Sequence, residues 1–198
     1  MATRSWNHNR YFHPRLLRML PSRIDRCLDI GCGDGRLAAA LAVRADHVVA
    51  LDRDAAEVVA TASRCEGLPN VEVMHVDFLA AGLDEGGFDV VTALATLHHM
   101  DLAAASAEVR RLLRPGGTFV LLGVWTDHRR RDLPWNIASV LLNRTLQRRW
   151  GRDEMLSPAV LPTTLFADVR HDLLAEFPGA FVRRHLLWRY TLRWQKPT

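Results

Sequence analysis

Two periodicities alternate along this chain. Short apolar or β-branched runs predict strands over residues 27–30, 47–51, 71–76, 88–94 and 118–124. Four of them are nearly continuous, as strands covered on both faces are. Between them, apolar residues recur at helical spacing over 35–44, 55–65 and 102–114. The run Leu112-Leu113-Arg114-Pro115-Gly116-Gly117 stops the last of these helices, because proline cannot continue it and glycine suits the turn into the next strand. Such alternation predicts an α/β fold with a parallel sheet and right-handed crossovers. Two parts depart from it. A helical stretch over 11–20, carrying Leu16, Leu17 and Leu20 and ended by Pro21, precedes the first strand. A long segment over 125–162, amphipathic over 137–146, follows the fifth. A further helix over 164–177 then leads to a strand pair over 180–194, where Trp188, Tyr190 and Trp194 alternate at period two and belong to the core.

Composition narrows the picture. The 198 residues fit one domain, and with 48% of them apolar a full core can be buried. No apolar run reaches the roughly 18 residues of a membrane span, and the N-terminus lacks the apolar segment of a signal peptide. Cys27, Cys32 and Cys65 are odd in number and show no C-x-x-C spacing, so a disulfide framework or metal site is not expected and a cytoplasmic protein is. The net charge is +4, with local arginine clusters over 128–131 and 144–152. These could hold an anionic substrate or nucleic acid, but the aromatic interleaving of a single-strand binder is sparse and a solvated helix face is preferred.

Candidate chemistry concentrates in Leu28-Asp29-Ile30-Gly31-Cys32-Gly33-Asp34-Gly35-Arg36. An apolar run ends in an acid and breaks into alternate glycines, which tolerate φ > 0 and let a ligand lie on bare backbone. A dinucleotide fingerprint has G-x-G-x-x-G. Here the third glycine comes one place early and Arg36 holds the fingerprint position. Asp29 would repel a pyrophosphate but suit an ammonium. Asp52 ends the second strand and Asp77 the third, so three acids fall at successive predicted strand ends. Taken singly, Asp52 could be a helix cap, Asp77 a turn residue and Phe78 a rim hydrophobe. Cys32 reads as a small buried filler.

With the glycine loop, the acid ending strand two and the Pro-Gly-Gly turn in place, the chain resembles the class I S-adenosylmethionine-dependent methyltransferases, in the branch that methylates small molecules. The resemblance runs from Asp25 to Trp194 and extends to Trp6-Asn7-His8-Asn9-Arg10-Tyr11. It implies a Rossmann-like seven-stranded sheet of order 3-2-1-4-5-7-6, with strand 7 antiparallel and helices on both faces. It also implies S-adenosyl-L-methionine as cofactor and S-adenosyl-L-homocysteine as product. Asp29, Gly31 and Gly33 match the motif that cradles the methionine end and ribose. Asp52, with Arg53 beside it, matches the acid that accepts from both ribose hydroxyls. Asp77 and Phe78 match the adenine pocket, although a small residue is common where Phe78 stands. Ala93, Leu94 and Ala95, at the end of strand four, should supply backbone near the methionine moiety.

The implied reaction is direct in-line displacement, in which the protein mainly positions the acceptor. A general base is required only for a hydroxyl or thiol acceptor. His99 matches the family's histidine after strand four better than His98 does, and lining the pocket is its alternative role. Tyr11, on an N-terminal helical cap over 1–22, is expected to close over the cofactor, whereas His13 is expected on the helix surface. Residues 125–162 form the expected substrate lid within a single domain over 1–198, with Trp125 and Trp135 lining an apolar pocket and Arg129–Arg131 meeting an anion. A small-molecule acceptor is thus the expected partner. The N/D-P-P-Y/F/W motif of base-methylating enzymes is absent from strand four, which argues against nucleic acid. A nucleic-acid methyltransferase and a non-catalytic cofactor-binding protein stay open as alternatives, and the oligomeric state is unspecified.

Overall fold

The computed structural model describes residues 7–126, 132–151 and 165–198. Its seven strands are β1 (Ile24–Ile30), β2 (Ala45–Asp52), β3 (Val71–His75), β4 (Phe88–Leu94), β5 (Leu113–Val124), β6 (Phe181–His185) and β7 (Arg189–Gln195). They form one sheet of order β3-β2-β1-β4-β5-β7-β6. The first five are parallel, and β7 runs antiparallel to both β5 and β6. The chain winds outward from β1 to β3, then crosses back to β4 and winds the other way. The β1–β4 boundary is therefore a topological switch point, where the carboxyl ends of the strands leave a crevice for a ligand.

Six described helices cover the sheet: α1 (His8–Met19), α2 (Arg36–Ala42), α3 (Ala55–Arg64), α4 (Leu102–Leu112), α5 (Leu133–Trp150) and α6 (Phe166–Glu176). The period of two along β5 divides the core. Phe119 and Leu121 pack with Val109 and Leu112 of α4 and Leu173 of α6. Val120 and Leu122 point the other way, to Phe12 and Leu16 of α1, Leu37 and Leu41 of α2, and Leu146 of α5. Both faces are thus apolar, which is why the central strands read as continuous hydrophobic runs.

Local chemistry moved several boundaries. Helix α1 starts at His8 rather than at residue 11, because Asn7 caps it, its Oδ1 accepting from the backbone N–H of Asn9 at 2.8 Å. Helix α4 stops at Leu112, and β5 already runs through Pro115-Gly116-Gly117, where Gly116 has φ +76° and the β4–β5 register shifts between Phe88 and Val90. The long segment after β5 contains α5; residues 127–131, with the expected Arg129–Arg131 anion site, and residues 152–164 lie outside the described residues. No described helix is long and apolar enough to cross a membrane.

Candidate functional site

Strand β1 ends at Ile30, and the chain turns through three left-handed glycines before α2. Their φ values are +65° at Gly31, +55° at Gly33 and +75° at Gly35. A Cβ on Gly31 would lie 2.3 Å from Thr96 Oγ1, and one on Gly35 2.8 Å from Thr61 Cα. Those two glycines serve close packing. At Gly33 a Cβ would meet only Glu57 Oε2, at 4.0 Å, so this backbone faces open space. Arg36, in the place of a fingerprint glycine, turns aside to pair with Asp34.

Each of the three acids has a distinct setting. Asp29 is buried at 1% exposure; its Oδ1 accepts from Thr92 Oγ1 at 2.8 Å, and its buried Oδ2 has no partner among the described residues. Burial pushes its carboxyl up to about 7, with the Thr92 hydrogen bond opposing and the negative Asp52 adding to the rise. A cation placed at Oδ2 would satisfy the orphan oxygen and favour the ionised form. Asp52 accepts from the Gly33 N–H through Oδ2 and from the Asp54 N–H through Oδ1, each at 3.0 Å. It fastens the glycine loop to the end of β2, while the helix-capping role falls to Asp54, which accepts from Ala56. A carboxylate has about four acceptor sites, so two backbone bonds leave capacity for hydroxyl donors. Asp77 is exposed and caps a single 3₁₀ turn, accepting from the Leu79 N–H at 2.9 Å, and Phe78 beside it is 1% exposed.

These elements surround a cleft of about 670 Å³ at the carboxyl ends of the strands. Asp29, Gly31, Gly33, Asp52 and Arg53 line it from β1 and β2; Asp77 and Phe78 line it from the end of β3. Leu94, His98 and His99 line it from β4 and the turn that follows. Four predicted residues are placed elsewhere. Ala93 is fully buried one residue short of the strand end, so the sheet's alternation sends its side chain into the core, and Leu94 and Ala95 line the cleft without it. Tyr11 lies outside the lining and is 44% exposed, packing edge-on to Phe12. Asn9, Arg10 and His13 are the residues α1 presents instead. Trp125 and Trp135 do not line the cleft either. Trp125 is buried in the core, and Trp135 stands over the Arg184 guanidinium at 4.8 Å.

Ala95 and Thr96 line the cleft at the turn after β4, and sequence reasoning passed over Val124 and Arg189, which line it too. Ala95 adopts φ +52°, a strained conformation for a residue with a Cβ, at the point where β4 turns over the site. Arg189 pairs in register with Val124 across β5 and β7, so strand pairing brings it to the rim from far along the chain. Titration behaviour differs among the histidines. Burial lowers His13 to about 4; Asp34 opposes this, while Arg36 and Arg10 lower it further. His99 is exposed at the rim, yet partial burial and then the charge of Arg53 lower it too. Its ring lies against that of His98, with centroids 3.9 Å apart. The Cys32 thiol is pushed up to about 12, first by burial and then by Asp29, and stays protonated as a core filler.

Comparison with known proteins gives a consistent result. A family profile describing a methyltransferase domain matches residues 28–121. The chain is 34% identical over 194 residues to an uncharacterized methyltransferase of Mycobacterium tuberculosis, spanning 97% of this chain and 98% of that protein. It is 35% identical over 113 residues to the 27-O-demethylrifamycin SV methyltransferase of Amycolatopsis mediterranei, covering 54% of this chain and 42% of that one. Among solved structures, the N-methyltransferase NodS from Bradyrhizobium japonicum bound to S-adenosyl-L-homocysteine superposes with a TM-score of 0.65 at 19% identity, over 97% of this chain and 89% of that one.

Proposed function

This chain belongs to the class I S-adenosylmethionine-dependent methyltransferases, and from that premise we propose that it methylates a small-molecule acceptor in the cleft at the β1–β4 switch point. S-adenosyl-L-methionine is the methyl donor and S-adenosyl-L-homocysteine the product. The residues present suit that cofactor. A buried carboxylate oxygen without a partner among the described residues, Asp29 Oδ2, borders the cleft, and the Gly33 backbone beside it is open on its ligand side. This orphan oxygen is the observation that carries the site assignment.

When bound, the cofactor supplies a methyl group already activated on a sulfonium, so the protein has little covalent work to do. Asp29 holds the ammonium group and Asp52 accepts from the ribose hydroxyls, while its bond to Gly33 keeps loop and acid in register. Asp77 accepts from the adenine amine, and Phe78 walls the base pocket. Leu94, Met100 and Val124 give the far side of the cleft an apolar lining. An apolar wall there excludes water and leaves the acceptor's orientation to shape. His99, held neutral by its lowered pKa, takes the proton of a hydroxyl acceptor at the rim.

Relatives support a small acceptor: one is a 27-O-demethylrifamycin SV methyltransferase, and NodS is an N-methyltransferase. The cleft volume of about 670 Å³ also falls among small-molecule sites. Calorimetric titration is the test. S-adenosyl-L-homocysteine should bind and NAD should not. Binding of NAD in its place, or retention of the protein on RNA in a salt-dependent manner together with methylation of that RNA, would replace this reading.

A further inference from the structure

We infer that Arg189 is the acceptor-binding residue of this cleft and that the methyl acceptor carries an oxyanion, a carboxylate or a phosphate. The inference rests on the methyl-transfer reading above and adds the chemical class of the acceptor. Arg189 opens β7 opposite Val124, on the β5 side of the cleft. The side chains suited to the cofactor lie on the other side, over the ends of β1, β2 and β3. The free half of the cleft, where an acceptor must enter, is therefore where this guanidinium stands.

Its partners are the telling feature. Asn9 Oδ1 alone spans the Nε and Nη2 donors, at 3.3 and 3.2 Å. Among the described residues Nη1 donates only to the carbonyls of Leu187 and Trp188, at 3.3 and 3.4 Å. All four contacts are long and all four acceptors are neutral. Among the described residues no carboxylate forms an ion pair with Arg189, whereas Arg36 and Arg64 pair with Asp34, and Arg184 pairs with Asp132. Burial lowers Arg189 to about 10, which leaves it charged at neutral pH while registering the cost of keeping it from water. A partly buried cation without an anion is a costly arrangement unless one arrives. The Nε–Nη2 edge is the edge that takes an oxyanion in two parallel bonds, and here one amide oxygen occupies it. The oxyanion of the acceptor takes that edge and lays the attacking atom across the apolar wall formed by Leu94 and Val124.

The backbone around Arg189 fits this role. Leu187 and Trp188 both have positive φ, at 64° and 54°. Two consecutive non-glycine residues in this region are strained, and such strain persists where the surroundings fix it. Ser139 of α5 accepts from the Leu187 N–H, and Asn136 of α5 accepts from the Trp188 indole. The turn that presents Arg189 is thus clamped by the helix of the expected lid.

Binding of simple probes tests the inference. The protein loaded with S-adenosyl-L-homocysteine is titrated with benzoate, phenyl phosphate and neutral benzamide, and the titrations are repeated on Arg189→Met and Arg189→Lys. The wild type should bind at least one anion about tenfold or more tightly than benzamide, in line with charge-assisted hydrogen bonds. Whether benzoate or phenyl phosphate leads tells the carboxylate from the phosphate. Arg189→Met should lose the preference while binding S-adenosyl-L-homocysteine within about threefold of wild type, a difference well under one charged hydrogen bond. Arg189→Lys, which keeps the charge but not the fork, should lose most of it and serves if the methionine variant does not fold. Equal binding of anion and benzamide by the wild type overturns the inference, as does an anion preference that survives both substitutions. Loss of S-adenosyl-L-homocysteine affinity in the variants would assign Arg189 to the cofactor and equally overturn it. Failure of the wild type to bind S-adenosyl-L-homocysteine strikes the methyl-transfer reading instead, and is read separately.

Discussion

At the scale of single residues, Asp29 makes the sharpest predictions. Its folded pKa of about 7 stands above the ordinary 3.8. The protonated form is therefore favoured by folding, and this contribution is complete below about pH 4 and lost as the pH rises through 7. Asp29→Asn keeps the oxygen that accepts from Thr92 and removes the buried charge. The ligand-free Asp29→Asn variant should be more stable than wild type at pH 8, by a few kcal/mol at most, with the difference vanishing near pH 4, as urea unfolding at both values would show. The same substitution should weaken S-adenosyl-L-homocysteine binding, and wild-type affinity should rise from pH 5 to pH 8 as the carboxylate forms. Asp52→Ala should weaken that binding by about 100-fold through lost charge-assisted hydrogen bonds. His99→Ala should lower kcat by about 100-fold on a hydroxyl acceptor while leaving cofactor affinity nearly intact. The acids were legible in the sequence because strand ends can be placed from patterning alone. Tyr11 was not, because two residues along a helix are about 200° apart. Once Asn7 fixes where α1 begins, Phe12 and Leu16 turn to the core, Asn9 and His13 to the cleft and Tyr11 to solvent.

Among the elements, α1 and the β6–β7 hairpin are joined by a histidine. His185 accepts at Nδ1 from Arg15 of α1, at 3.1 Å, and donates from Nε2 to Thr191 of β7, at 2.8 Å. Only the neutral ring can do both. Burial first, and then Arg15 and Arg183, lower its pKa to about 4. The sign is the reverse of that for Asp29: the stability it contributes is present above about pH 6.5 and lost as the pH falls through 4. His185→Gln can keep one acceptor and one donor, so its stability relative to wild type should improve as the solution is acidified, measured by unfolding at pH 7 and pH 4.5. The hairpin itself was legible as two aromatic-rich strands. Its turn was not, because Leu187 and Trp188 carry none of the glycine or asparagine that usually marks positive φ. Tertiary bonds from α5 impose that turn, and with it the position of Arg189.

For the molecule as a whole, alternation of strand and helix was enough to announce a parallel sheet. The antiparallel β7 came from the family resemblance, since periodicity does not carry strand order. Binding energy should register as global stability: saturating S-adenosyl-L-homocysteine should raise the melting temperature of wild type by more than that of Asp52→Ala at the same concentration. The sheet's order also has a bearing on how the protein is made. Strand β7 is inserted between β5 and β6, and it follows α5, α6 and β6 in the chain. While a ribosome is still producing those elements, the edge of β5 has its amides and carbonyls exposed with no neighbour to pair with. Nascent chains therefore offer a sticky border to one another, and to chaperones, until the last strand emerges and closes it.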